Sequence, residues 1–157
     1  MVQKEIKIAY EVYPSVEEMT AEDQALVNAS IEAMKGSYAP YSHFNVGAAI
    51  RLLDGTVVKG ANQENAAYPS GLCAERTAMF AAGANYPDIP MVSLAVVASQ
   101  NGQICKEPAA PCGACRQVMA QYQCKSGQPM SVILVGEPEI WKFNRVDDIL
   151  PFIFDSI

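Results

Sequence analysis

The chain has almost no histidine, little charge and no long apolar run. His43 is the only histidine among 157 residues, so a site that needs several imidazoles is excluded. Charged residues make up 18% of the sequence and sum to −6, a balance poorly suited to neutralising nucleic-acid phosphates. No apolar run approaches the roughly 18 residues that a membrane helix needs, and no basic-then-apolar leader opens the sequence. The expectation is a soluble, unsecreted, cytoplasmic protein with neither nucleic acid nor membrane as partner. Internal repeats, low-complexity tracts and long linkers are missing too. What is present is a 50% share of apolar residues, enough for a substantial core, and the expectation is one domain over residues 1–157. Five cysteines, an odd number, speak against a disulfide framework and for metal or catalytic use.

The pattern along the chain reads as alternating strands and helices. Ile6, Ile8, Tyr10 and Val12 alternate with Glu5, Lys7 and Glu11, which predicts a strand over 5–13 ahead of Pro14. Thr20 is placed as an N-cap with Asp23 three residues on, and Leu26, Val27, Ile31 and Met34 form a helical stripe that Gly36 stops. Val46 to Leu53 and Thr56 to Gly60 flank Asp54-Gly55, a hairpin signal. A helical run opens at Cys73 and goes towards Gly83. Met91 to Ala98 is a buried strand ending in the Asn101-Gly102 turn, and a second helical run starts near Cys112. Val132 to Val135 and Ile140 to Phe143 are further strands, and Asp147 to Phe152 reads as a short terminal helix limited by Pro151. The sum is one α/β domain with helices packed on a mixed sheet.

Chemistry concentrates in two segments, Gly71-Leu72-Cys73-Ala74-Glu75-Arg76-Thr77-Ala78 and Ala110-Pro111-Cys112-Gly113-Ala114-Cys115-Arg116-Gln117. Cys112 and Cys115 are three residues apart, so on a helix they project from one face, and Pro111 suits that helix's start. Cys73 stands at the start of the other helix. Both helix N-termini favour the thiolate that zinc requires. Catalytic zinc takes three protein ligands and leaves a fourth position for water, so Cys73, Cys112 and Cys115 are the candidate ligands of one Zn²⁺ per chain. Glu75, two residues past a ligand, is the candidate proton carrier. Three thiolates make the site net negative, and Arg76 is the candidate donor that offsets this, with Arg116 as a second. Two other readings stay open on spacing alone. Cys112-Gly113-Ala114-Cys115 also suits a redox dithiol, and a structural zinc site would take His43 as its fourth ligand. The Cys73-Ala74-Glu75-Arg76 segment favours the catalytic reading over both. Otherwise His43 reads as a partly exposed loop residue or a pocket neighbour. Cys105 and Cys124 have no partner at ligand spacing and read as small buried hydrophobes.

The two segments fit the general pattern of zinc base deaminases, with Cys73-Ala74-Glu75 in the H-x-E slot and Pro111-Cys112-Gly113-Ala114-Cys115 as P-C-x-x-C. From Ser37 through Gln117 the chain resembles the small zinc-dependent cytidine deaminases of nucleoside salvage. Tyr38-Ala39-Pro40-Tyr41-Ser42-His43-Phe44-Asn45-Val46-Gly47-Ala48-Ala49 is similar to the family's Y-x-P-Y-S-x-F-x-V-G-A-A segment. Gly60-Ala61-Asn62-Gln63-Glu64-Asn65-Ala66-Ala67-Tyr68-Pro69 is similar to its G-x-N-x-E-N-A-x-Y-P segment. The resemblance implies a cytidine-deaminase-like three-layer α/β fold, a mixed sheet of about five strands flanked by helices. It implies that Asn62 and Glu64 hold the ribose, with Glu64 accepting from the 3′-hydroxyl, and that Phe44 lies beside the pyrimidine. It further implies that the backbone of Ala74 contacts the base. A homotetramer with shared active sites is implied as well, with Phe154, from the ending Leu150-Pro151-Phe152-Ile153-Phe154, lent across to a neighbouring subunit.

The expected function is hydrolytic deamination of cytidine and 2′-deoxycytidine to uridine and 2′-deoxyuridine, with release of ammonia, as in pyrimidine salvage. Water activated by zinc adds at C4, while Glu75 moves protons to N3 and the departing amine. The competing expectations are deamination of a modified cytosine such as blasticidin S, a zinc-stabilised binding module without catalysis, and polynucleotide editing. The acidic balance argues against the last of these.

Overall fold

The computed structural model describes residues 1–155. Its architecture follows from period-two alternation along the central strands, which sends apolar side chains to both faces of one sheet. The strands are β1 (Glu11–Tyr13), β2 (Phe44–Leu52), β3 (Val57–Ala61), β4 (Met91–Gln100), β5 (Gln103–Ile104), β6 (Ser131–Val135) and β7 (Ile140–Phe143). The helices are α1 (Ala21–Ala33), α2 (Ala74–Asn85) and α3 (Gly113–Ser126). The sheet order is β1-β7-β6-β4-β2-β3, with the short β5 on β4. The β4–β6 pair is parallel and the other pairs are antiparallel, so the sheet is mixed.

Ala48, Ile50, Leu52, Leu94, Val96, Val132 and Leu134 point to one face and pack with Ala78, Met79 and Ala82 of α2 and Met119 and Ala120 of α3. Ala49, Ala95, Val97, Ile133 and Val135 point to the other and pack with Leu26 and Val27 of α1. The result is the expected three layers, α1 on one face and α2 with α3 on the other. No helix among the described residues is long and apolar enough to cross a membrane.

Local signals are realised where the chemistry is local. The Thr20 side chain accepts from the Asp23 backbone N–H at 3.2 Å and starts α1. Gly55 has φ 89° in the β2–β3 turn, while Asn101 (φ 53°) and Gly102 (φ 78°) reverse the chain into β5. Gly60 lets α2 lie against β3, since a Cβ there would sit 2.4 Å from the Ala78 backbone nitrogen.

Four expectations are corrected. Among the described residues the sheet has seven strands rather than about five, because β1 and β5 are short additions at its margins. The strand expected over 5–13 shrinks to Glu11–Tyr13: its partner β7 has only four residues, and three of them pair. Outside that pairing, Tyr10 still stacks on Phe143 with ring centroids 5.1 Å apart. The terminal helix over 147–152 is instead a single 3-10 turn, Val146–Asp148, because Pro151 supplies no N–H and disfavours helical geometry at Leu150. Cys105 is half-buried and Cys124 exposed, so neither is a core side chain.

Candidate metal centre and substrate cleft

Two loops run into the N-termini of α2 and α3, and these helix starts meet at one point. Cys73 is the N-cap of α2, Cys112 is the N-cap of α3, and Cys115 lies in the first turn of α3. Their three Sγ atoms all lie within 4.8 Å of one another. Cys112 and Cys115 approach to 3.5 Å, as their spacing on one helix face requires. Cys115 is buried, Cys73 half-buried and Cys112 exposed, so the cluster opens to one side. His43 is exposed and lies outside this cluster, and its backbone takes a φ of 55°. Among the described residues the three-thiol set therefore stands without the fourth protein ligand of a structural site, which fits zinc with a position left for water.

Arg76 sits one turn into α2 and donates from Nη2 to Cys73 Sγ at 3.3 Å. The guanidinium faces the thiols, with hydrogen bonds to Cys73 and Cys115, while its Nε is buried with no hydrogen-bond partner among the described residues. The Cys73 thiol is drawn down to about 5, first by the Cys115 thiol hydrogen-bonded to it and then by Arg76. Cys115 moves the other way, upward, because Cys73 takes its proton's hydrogen bond and burial disfavours its charge. Arg116, the alternative donor, does not serve the thiols. Its Nε donates to the Pro111 carbonyl at 2.7 Å and its Nη1 to the Ile149 carbonyl at 2.9 Å, tying the loop before α3 to the C-terminal segment.

Beside the thiols lies a cleft of about 450 Å³ lined by Ser42, Phe44, Val46, Asn62, Glu64, Cys73, Ala74, Glu75, Val96, Ala109, Ala110 and Cys112. Glu75 is only 5% exposed. Burial raises its carboxyl above the ordinary range, and the charge of Cys73 adds to the rise. The β2–β3 hairpin brings further lining residues together. Antiparallel pairing of Gly47 with Ala61 puts Phe44, at the start of β2, beside Asn62, just past β3. Asn62 donates from Nδ2 to the Phe44 carbonyl at 2.9 Å, and its Oδ1 accepts from the Val46 N–H at 2.9 Å. Glu64 is held by the loop at Tyr41 and Ser42, and the Ser42 hydroxyl is the main cause holding its carboxyl below the ordinary range.

Phe44, Asn62, Glu64, Ala74 and Glu75 thus share one cleft with Cys73 and Cys112. Phe154 does not join them. It is 67% exposed, and its backbone is fastened to Gln117 of α3, whose Nε2 donates to the Phe154 carbonyl at 2.7 Å. Ser42, Val46 and Val96 line the cleft although the sequence reading did not assign them to it. Ser42 stood two residues before Phe44 in the Tyr41-Ser42-His43-Phe44 block, which was the signal available.

Residues 20–128 match the family described as the cytidine and deoxycytidylate deaminase zinc-binding region. The chain belongs to this zinc-binding family. It is 50% identical over 99 residues to a cytidine deaminase of Halalkalibacterium halodurans, a match covering 62% of this chain and 70% of that one. It is 37% identical over 123 residues to a cytidine deaminase of Mycobacterium tuberculosis, covering 78% and 82%. The fold is similar to the crystal structure of cytidine deaminase from Burkholderia pseudomallei at a TM-score of 0.72 and 40% identity, covering 87% of this chain and 100% of that chain.

Proposed function

We propose that this chain is a cytidine deaminase that hydrolyses the C4 amine of cytidine and 2′-deoxycytidine, giving the uridine form and ammonia. The observation that carries the proposal is the buried Glu75 lining one cleft together with Cys73 and Cys112 of the three-thiol cluster and with Asn62 and Glu64. Cys73, Cys112 and Cys115 would hold the metal. Zinc, when bound there, supplies the Lewis acidity that makes water a nucleophile at neutral pH. Glu75 would carry both protons of the attacking water in turn, the first to N3 as the C4–O bond forms and the second to the amine as the C4–N bond breaks, and its raised carboxyl suits a group that works in both directions. Phe44 offers a flat apolar face to the pyrimidine, the Ala74 backbone contacts its edge, and Asn62 with Glu64 grips the sugar.

A nucleoside fits this cleft better than a nucleoside phosphate. The lining side chains named above include two carboxylates, Glu64 and Glu75, and no cation, so a phosphate entering there meets repulsion. The same reading takes residues 1–157 as one catalytic domain, supported by the single sheet that joins β1 to β7. It also takes the enzyme as a cytoplasmic homotetramer of pyrimidine salvage with no nucleic-acid partner. Exposed aromatics support self-association: Tyr41 and Tyr68 meet edge to face beside the cleft, and Phe154 is exposed where its backbone is held by Gln117 of α3.

The test is the ultraviolet change when zinc-loaded protein meets cytidine, with Glu75→Ala alongside. Turnover in the native protein alone supports the reaction and the role of Glu75. No turnover at one zinc per chain would reject cytidine as substrate and favour a modified cytosine such as blasticidin S.

A further inference from the structure

We infer that Ser42 is a positioning residue for the sugar end of the cleft, holding Glu64 as a hydrogen-bond acceptor in register with Phe44. This deepens the reading of Asn62 and Glu64 as sugar contacts and rests on it.

The direction of each hydrogen bond is set by its neighbours. The Phe44 backbone N–H donates to Ser42 Oγ at 3.1 Å, which leaves the Ser42 hydrogen to donate to Glu64 Oε1. Glu64 Oε2 accepts from the backbone N–H of Tyr41 at 2.9 Å and of Ser42 at 3.2 Å. These three donors favour the charged carboxylate over the neutral acid and leave one of its acceptor sites for a substrate hydroxyl. The left-handed backbone at His43, φ 55°, turns the chain so that the Ser42 side chain folds back onto Phe44.

Asn62 is equally committed. Its Oδ1 accepts from the Val46 N–H and from the Ser37 hydroxyl, and one Nδ2 hydrogen goes to the Phe44 carbonyl. One Nδ2 hydrogen remains. The pair therefore offers a substrate one donor and one carboxylate acceptor, the complement of a single hydroxyl that accepts from Asn62 and donates to Glu64. The Phe44 backbone ends on Ser42 through its N–H and on Asn62 through its C=O. Aromatic ring and carboxylate are thus set by one continuous hydrogen-bonded frame, with Ser42 as the link to Glu64.

The experiment compares wild type, Ser42→Ala and Ser42→Thr as zinc-loaded proteins on cytidine and on 3′-deoxycytidine. Turnover of cytidine by wild type checks the underlying reading in the same assay; without it that reading and this inference both fall. Given that turnover, Ser42→Ala should raise KM for cytidine roughly tenfold with little change in kcat, as loss of a hydrogen bond to a charged group would. On 3′-deoxycytidine, which lacks the hydroxyl Glu64 accepts from, kcat/KM should differ between the two by less than about twofold. Ser42→Thr, which keeps the donor, should recover most of the loss on cytidine. An unchanged KM in Ser42→Ala overturns the inference. So do equal losses on both substrates without recovery in Ser42→Thr, which would mean that the serine only maintains the loop.

Discussion

Arg76 reaches the Sγ of Cys73 at 3.3 Å from three residues further along α2, so the guanidinium and the thiol it serves share one helix face. Three thiolates around a divalent ion leave excess negative charge, and a cation fixed on one of them stabilises the loaded site. Cys73 in turn raises the Arg76 guanidinium further into its protonated range, which is the same interaction seen from the other partner. Arg76→Gln should therefore release zinc more readily, by roughly 10–100-fold in competition with a chelator. The measurement is zinc per chain against chelator concentration. An unchanged curve would show that Arg76 does not support the metal.

Glu75 gives a separable outcome because it lies beside the thiols without belonging to their cluster. Glu75→Gln keeps the shape and can still hydrogen-bond, yet it cannot shuttle a proton. It should retain one zinc per chain and lose on the order of 10²–10⁴-fold in kcat. Turnover at the native rate would remove Glu75 from the chemistry.

Removing the metal exposes the electrostatics of the thiols. With Cys73 at about 5, its thiolate is present above that pH and lost as pH falls through it. In zinc-free protein Cys73 should alkylate ahead of buried Cys115 and exposed Cys124 at pH 6, and its rate should fall steeply towards pH 4. Zinc should protect it. Peptide mapping after brief iodoacetamide treatment reads this out, and preferential reaction at Cys124 would contradict it.

The sequence made the site more legible than its surroundings, for physical reasons. Cys73, Cys112 and Cys115 could be grouped because metal chemistry restricts both residue type and spacing, and both helix starts were marked locally. The Thr20 cap and the Asp54-Gly55 turn were legible in the same way, since each depends on atoms a few residues apart. What escaped depends on distant partners. Ile6 and Ile8 alternate like a strand, yet β7 is too short to pair with them. Arg76 and Arg116 both follow candidate ligand cysteines, and the carbonyls of Pro111 and the distant Ile149 take Arg116 elsewhere. Cys124 follows the inward-facing Gln123 by one position, and a 3.6-residue period carries it out to solvent.

Gly60 links the sheet to the chemistry. A Cβ at that position would lie 2.4 Å from the Ala78 nitrogen and 2.7 Å from the Ala74 carbonyl oxygen, both helix backbone atoms that no rotamer change can clear. Gly60→Ala must push α2 off β3, and α2 carries Cys73 at its N-cap and Glu75 in its first turn. The expected cost is about 1–3 kcal/mol in chemical denaturation, accompanied by weaker zinc retention and lower kcat. Gly36→Ala is the matched control, since its Cβ would meet only the Ala61 Cβ at 3.8 Å. If Gly60→Ala unfolded at the wild-type midpoint with full zinc, close approach of α2 to β3 would not be what sets the metal centre. A loss confined to Gly60→Ala, with zinc and kcat falling together, would tie the packing of one glycine to the placement of Cys73 and Glu75.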